Sequence, residues 1–258
     1  MPRIKVGNEG SSCEVDAILF DKDGTLLDFI YTWGIWSERL LASCSSALGW
    51  TQERVDEMEK LIGLRRSKVD GHIEDYDRNG PLAMGTVDDL LAIVALEGYR
   101  GGGTWADAKT IAWNAKAEAD AAIEAEKAAR LLPHVWPFLE SCREAGLKLA
   151  VVTADETAAA KRHLEWLGIA SFFDACVGTD AVENGKPFPD MAQFACGLLG
   201  VMPSRTAVIG DTNGDMLMAR AAGAATAIGI VPSGREISAQ LPSADATVWS
   251  FAELAVES

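Results

Sequence analysis

The stretch Val15-Asp16-Ala17-Ile18-Leu19-Phe20-Asp21-Lys22-Asp23-Gly24-Thr25 decides how the rest of the chain is read. A short, mostly apolar run stops abruptly at an acidic cluster, as a strand buried on both faces does when it reaches the edge of a parallel sheet. The acidic residues then stand at a strand's carboxyl end, where open α/β sheets bind their ligands.

Working outward, the same kind of strand recurs after Leu131. The pattern predicts helix Val135 to Ala145, strand Leu147 to Thr153, helix Thr157 to Leu167 and strand Phe172 to Val177. It continues with helix Asp190 to Leu199, strand Thr206 to Gly210, helix Gly214 to Ala222, strand Ala225 to Ile230, a weaker strand near Ala246 to Val248 and a last short helix. Alternation with short connections specifies a doubly wound α/β fold, a parallel sheet with helices on both faces. Between Phe29 and Arg130 the spacing turns helical: Trp33, Trp36, Leu40, Cys44 and Leu48 recur at three and four, and Ile111 to Ala129 is alanine-rich. No strand is expected there, and the stretches 70–85 and 98–103 read as loops. The expected organisation is a discontinuous α/β core, residues 14–28 and 131–258, interrupted by an all-helical cap over 29–130.

Composition narrows the function. The 258 residues carry a net charge of −15 and are 48% hydrophobic, with a mean hydropathy of +0.07. A chain of this size buries roughly 75% of its extended surface, which excludes a disordered or fibrous protein. The acidic balance excludes nucleic acid as an expected partner. No apolar stretch is long enough to span a bilayer, and Met1 to Gly10 is polar and broken by glycine, so a cytoplasmic protein without a secretion signal is expected. The five cysteines, Cys13, Cys44, Cys142, Cys176 and Cys196, are scattered without a paired motif; they read as reduced residues rather than as disulfides or metal thiolates. Oligomeric state is not legible.

Four predicted strand edges carry chemistry together: Asp21 and Asp23, then Thr153, then Lys186 in Gly185-Lys186-Pro187, then Asp211 and Asp215. Each residue alone reads as a cap, a turn former or a solvated charge. Jointly they bring three or four carboxylates to one rim, where two of them about 4 Å apart repel by roughly 4 kcal/mol at an effective dielectric near 20. Clustering them requires a cation, and oxygen-only ligands point to Mg²⁺.

Four short motifs in order, Asp21-Lys22-Asp23-Gly24-Thr25-Leu26, Thr153, Lys186 and Gly210-Asp211-Thr212-Asn213-Gly214-Asp215, resemble those of the haloacid dehalogenase superfamily of phosphatases. The resemblance implies a Mg²⁺-dependent phosphatase acting on a small phosphorylated metabolite. Asp21 would be the nucleophile that forms an aspartyl-phosphate, and Asp23 the general acid and then base. It further implies Mg²⁺ held by Asp21, the Asp23 carbonyl, Asp211 and Asp215, and phosphate bound by Thr153, the adjoining backbone at Ala154 and Lys186, with Gly24 supplying an unobstructed turn. The insertion is similar to the helical cap of the phosphoglycolate phosphatase and β-phosphoglucomutase branch, where caps close over the site and choose the leaving group. Within it, Arg65, Arg66 and Lys68 form a basic cluster that reads either as a solvated helix face or as side chains that meet an anionic substrate group. Two positions depart from the family pattern: Lys22 stands where apolar residues are common, and Thr153-Ala154-Asp155 replaces the frequent Thr-Asn-Lys or Ser-Asn. Retention of Asp23 argues against a dehalogenase or a phosphonatase. A phosphomutase is the alternative, and a receiver-like module that accepts phosphate without turnover a remoter one.

Overall fold

The computed structural model describes residues 2–7, 12–231 and 241–257. The chain divides into two compact units, residues 1–28 with 130–258, and residues 29–129.

In chain order the strands are β1 (Arg3–Val6), β2 (Ser12–Glu14), β3 (Ala17–Phe20), β4 (Leu64–Arg66), β5 (Ile73–Tyr76), β6 (Lys148–Val152), β7 (Ala175–Val177), β8 (Thr206–Gly210), β9 (Thr226–Ile230), β10 (Ala246–Val248) and β11 (Leu254–Glu257). The helices are α1 (Ile35–Leu48), α2 (Gln52–Ile62), α3 (Pro81–Met84), α4 (Val87–Arg100), α5 (Trp105–Glu126), α6 (Val135–Glu144), α7 (Thr157–Trp166), α8 (Asp190–Leu199) and α9 (Asn213–Ala222).

In the first unit, six strands form a parallel sheet in the order β10-β9-β8-β3-β6-β7. Its centre, β3, is buried at every position, because both faces are covered and a strand there cannot afford alternation. Ala17 and Leu19 face a core completed by Ala150 and Val152 of β6, Met191 and Ala195 of α8, and Met216 and Ala219 of α9. On the other face Phe20 meets Phe138 of α6 edge-on at a centroid distance of 6.2 Å and Phe173 at 6.0 Å. Where the chain leaves this unit and returns, the Asp28 N–H donates to the Arg130 carbonyl and the Leu132 N–H to the Leu26 carbonyl. The five cysteines are free thiols. No helix among the described residues is long and apolar enough to cross a membrane.

The second unit is built on α1, α4 and α5, with α5 packed against both of the others. Ala108, Ala112, Ala115, Ala119 and Ile123 form the buried stripe of α5; their spacing of three and four keeps small side chains on one face, so the facing helix can approach closely. Trp36 belongs to this core, its Nε1–H donating to Asp120 Oδ1 at 2.8 Å.

Three expectations differ from the structure. The insertion is helical apart from one antiparallel hairpin, β4 with β5, and the stretch read as loop over 70–85 contains β5 and α3. These strands are three and four residues long and carry charged residues, too short a span for alternation to register. The expected last helix is a 3₁₀ turn, Phe251–Glu253, followed by β11. That strand pairs with β1 in a separate antiparallel sheet, β11-β1-β2, to which the sequence pattern assigns no strand. Alternating exposure along Leu254–Glu257 belongs to a sheet with one covered face. Of the polar stretch Met1 to Gly10, residues 1 and 8–10 lie outside the described residues.

The aromatic cluster under β3 makes a testable statement about stability. Phe20→Ala is expected to cost about 3–5 kcal/mol, read as a lower midpoint in urea denaturation. A loss below about 1 kcal/mol would contradict the packing described.

Candidate active site

Strand order places the crevice. From β3 the chain goes to β6 and β7 on one side, then crosses to β8, β9 and β10 on the other, so the carboxyl ends of β3 and β8 flank the point where the winding reverses. Asp21 is the first residue beyond β3, and Asp211 the first beyond β8. The Asp21 N–H donates to the Ile209 carbonyl at 2.8 Å, which carries the sheet's hydrogen bonding into the loop and sets the two ends side by side.

Asp215 arrives by helix capping. Thr212 is the N-cap of α9; its hydroxyl accepts the Asp215 N–H at 3.3 Å, while Asp215 Oδ2 accepts the Thr212 N–H at 3.1 Å. This reciprocal box satisfies two free N–H groups of the helix start. It also fixes the other oxygen, Oδ1, 2.6 Å from Lys186 Nζ. Lys186 donates in turn to Asp21 Oδ1 at 2.5 Å. Oxygens of Asp21, Asp211 and Asp215 lie within 4.8 Å of one another, and all three residues are buried.

The electrostatics follow from burial. Removal from water pushes the Asp21 carboxyl well above the usual carboxylate range; Lys186 opposes the shift, while Asp215, Asp211 and Asp23 add to it. Burial also works against the Lys186 ammonium, but the negative charges of Asp21 and Asp215 outweigh it and the pKa is raised. Three carboxylates face one ammonium, so the group carries excess negative charge on oxygen donors alone, a donor set that can hold a hard divalent cation.

Asp23 stands beside this group with a different partner. Its Oδ2 lies 3.0 Å from Nζ of Lys22, a side chain with no solvent exposure. The same ammonium donates to Asp155 Oδ2 at 2.7 Å and meets His163 Nδ1 at 2.8 Å. Burial opposes the Lys22 charge, and Asp155 and then Asp23 more than restore it. Burial, followed by the nearby positive charge of Lys22, drives His163 down to about 4. The imidazole is therefore neutral near pH 7, and Nδ1 accepts from the ammonium.

The remaining sequence-predicted residues fall as follows. Thr153 is buried just past β6, its hydroxyl accepting the Asp155 N–H at 3.1 Å, with Ala154 in the same turn. Gly24 turns the chain at φ +85°, and its N–H donates to the Leu27 carbonyl. The basic cluster lies in the second unit, on β4 and the turn after it. There Arg66 is paired with Glu59 and Glu38, Arg65 lies 3.7 Å from Asp75, and Lys68 is exposed. His72 pairs with Asp70, and His134 precedes α6.

Sequence reading missed the joint role of Lys22, Asp155 and His163. A signal was present: two departures from the family pattern carry opposite charges and follow adjacent parallel strands, β3 and β6.

Comparison with known proteins agrees with the motifs. The family model for haloacid dehalogenase-like hydrolases matches residues 15–223. A Dickeya dadantii protein named probable phosphatase IndB is 32% identical over 213 residues, 83% of this chain and 80% of that protein. A phosphoglycolate phosphatase of Salmonella typhimurium is 37% identical over 99 residues, 38% of this chain, so the match spans only 39% of that relative. Among solved structures, one described as a predicted phosphoglycolate phosphatase from Haemophilus somnus matches with a TM-score of 0.68 and 20% identity over 93% of this chain and 96% of that one. CbbY from Rhodobacter sphaeroides, in complex with phosphate, matches at 0.62 and 23% over the same shares of the two chains. These structural likenesses show a common fold.

Gly210 reports on how tightly Asp215 is set. A Cβ there would lie 2.4 Å from Asp215 Cγ and 2.6 Å from its Oδ2. Gly210→Ala is expected to displace that carboxylate and to cost about 1–3 kcal/mol, seen as a lower urea midpoint. An unchanged midpoint would contradict the placement.

Proposed function

The chain belongs to the haloacid dehalogenase-like hydrolase family, and from that premise we propose that it is a phosphatase that hydrolyses a small phosphorylated metabolite through an aspartyl-phosphate on Asp21. The observation that carries this reading is the meeting of Asp21, Asp211, Asp215 and Lys186 at the reversal point of the sheet.

A carboxylate attacks a phosphate dianion only where their repulsion is offset. Lys186 supplies one fixed positive charge, 2.5 Å from Asp21. The buried oxygen donors fit Mg²⁺, which Asp21, Asp211 and the Asp23 carbonyl would hold with help from Asp215; when bound it screens the negative charge of the transferred group. Asp21 adds to phosphorus as the bond to the leaving oxygen breaks, and Asp23 gives that oxygen a proton. Asp23 then takes a proton from the water that cleaves the acyl-phosphate, releasing phosphate and restoring Asp21. The Thr153 hydroxyl and the backbone at Ala154 donate hydrogen bonds to phosphoryl oxygens. The glycine at position 24 lets the chain turn back at once after Asp23.

For the substrate, the matched relatives named phosphoglycolate phosphatase support a small anionic phosphomonoester. Arg65, Arg66 and Lys68 belong to the second unit, where Arg66 is committed to Glu59 and Glu38 and Arg65 lies 3.7 Å from Asp75.

Phosphate release from p-nitrophenyl phosphate, phosphoglycolate and phosphorylated sugars tests the proposal. Turnover is expected with Mg²⁺, to be stopped by a chelator, and to fall at least about 1,000-fold in Asp21→Asn. Full activity in Asp21→Asn would contradict it, and so would retention of one equivalent of phosphate without turnover.

A further inference from the structure

Lys22 forms the second buried charge cluster of the core. An ammonium has three N–H donors, and its three partners here are Asp155 Oδ2 at 2.7 Å, His163 Nδ1 at 2.8 Å and Asp23 Oδ2 at 3.0 Å. Two of these partners belong to α7 and its lead-in. Asp155 is itself held on every side: Oδ1 accepts the Glu156 N–H at 2.8 Å, its N–H donates to Thr153, and its carbonyl accepts the Thr179 N–H at 3.1 Å. His163 lies on α7, buried beside Trp166. The position of Nζ is therefore set by the scaffold, independently of Asp23.

The third contact has a one-sided consequence. Asp23 Oδ2 is gripped, whereas Asp23 Oδ1 is buried and has no hydrogen-bond partner among the described residues. Stability alone gives no reason for such an arrangement, since replacing a buried ion pair by apolar side chains of similar volume is often neutral or stabilising. We propose that Lys22, anchored by Asp155 and His163, is a positioning residue that orients Asp23 by gripping Oδ2, leaving Oδ1 as the oxygen that exchanges the proton.

This inference rests on the phosphatase reading. As the bond between phosphorus and the leaving oxygen breaks, that oxygen takes the bonding pair and receives the proton from Asp23 Oδ1. A misoriented Asp23 harms the departure of an alkoxide, which needs the proton, far more than that of p-nitrophenolate, which leaves without one.

The experiment compares kcat/KM for an alkyl phosphate, phosphoglycolate or glycerol phosphate, with that for p-nitrophenyl phosphate. Lys22→Met alone strands the charge of Asp155, so the principal variant is Lys22→Met with Asp155→Asn, its fold checked by circular dichroism. The alkyl phosphate is expected to lose at least about tenfold more than the aryl phosphate. Should the double variant not fold, Asp155→Asn alone carries the test: Lys22 keeps Asp23 as its charge partner, and the shift is expected in the same direction but smaller. A merely structural role lowers both substrates in parallel, and parallel loss, or no loss, overturns the proposal. A wild-type chain inactive on every phosphomonoester overturns the phosphatase reading and this proposal with it; an active one with parallel losses overturns this proposal alone.

Discussion

Repulsion among carboxylates removed from water is the constraint on which this structure turns. Asp21, Asp211 and Asp215 bring their oxygens within 4.8 Å of one another in a buried setting, where each like-charge pair costs several kcal/mol even at a generous effective dielectric. No local preference of the chain would gather them. They are held by β3 and β8, hydrogen-bonded in register at the centre of the sheet, and by the capped first turn of α9, to which the Asp215 carboxylate itself contributes. The apolar core thus holds the acidic group together, and Lys186 offsets part of its cost.

A second ammonium repeats the device a few ångströms along the chain. Lys186 stands between Asp21 and Asp215, and Lys22 between Asp23 and Asp155. Each buried cation has two carboxylate partners, so neither motif aspartate depends on solvent for compensation. The two clusters differ in balance. Lys22 has a third, neutral partner in His163 that completes its donors, whereas the group around Lys186 retains an excess of negative oxygen that calls for a further positive charge.

Much of this was legible in the chain. Ala17–Phe20, Lys148–Val152 and Thr206–Gly210 read as strands because apolar runs with polar stops carry that signal locally, and the expected helix Asp190–Leu199 is present, closed by Gly200. Asp21 and Asp215 were placed together by fold logic, since strand ends of a doubly wound sheet share one rim; Lys186 was expected at such an edge too, but it lies in the loop between β7 and α8 and reaches the rim from there. What stayed hidden lay in strands of three or four residues or in pairing over distance. Strands β1, β2 and β11 are short and partly charged; β1 pairs locally with β2 and, across nearly the whole chain, with β11. The hairpin of β4 and β5 interrupts a helical pattern with only a few residues. Lys22 and Asp155, 133 residues apart, each looked like a local irregularity, and only together do they make a compensated pair.

On the proposed reading, the acidic group at the ends of β3 and β8 takes up a divalent cation, and binding relieves its charge excess. Calorimetric titration of Mg²⁺ into the metal-free, full-length chain tests it most directly. One cation per chain is expected in the wild type, with binding at least about tenfold weaker in Asp211→Asn, a loss of about 1.4 kcal/mol or more. Absence of binding in the wild type, or equal affinity in the two proteins, would contradict it.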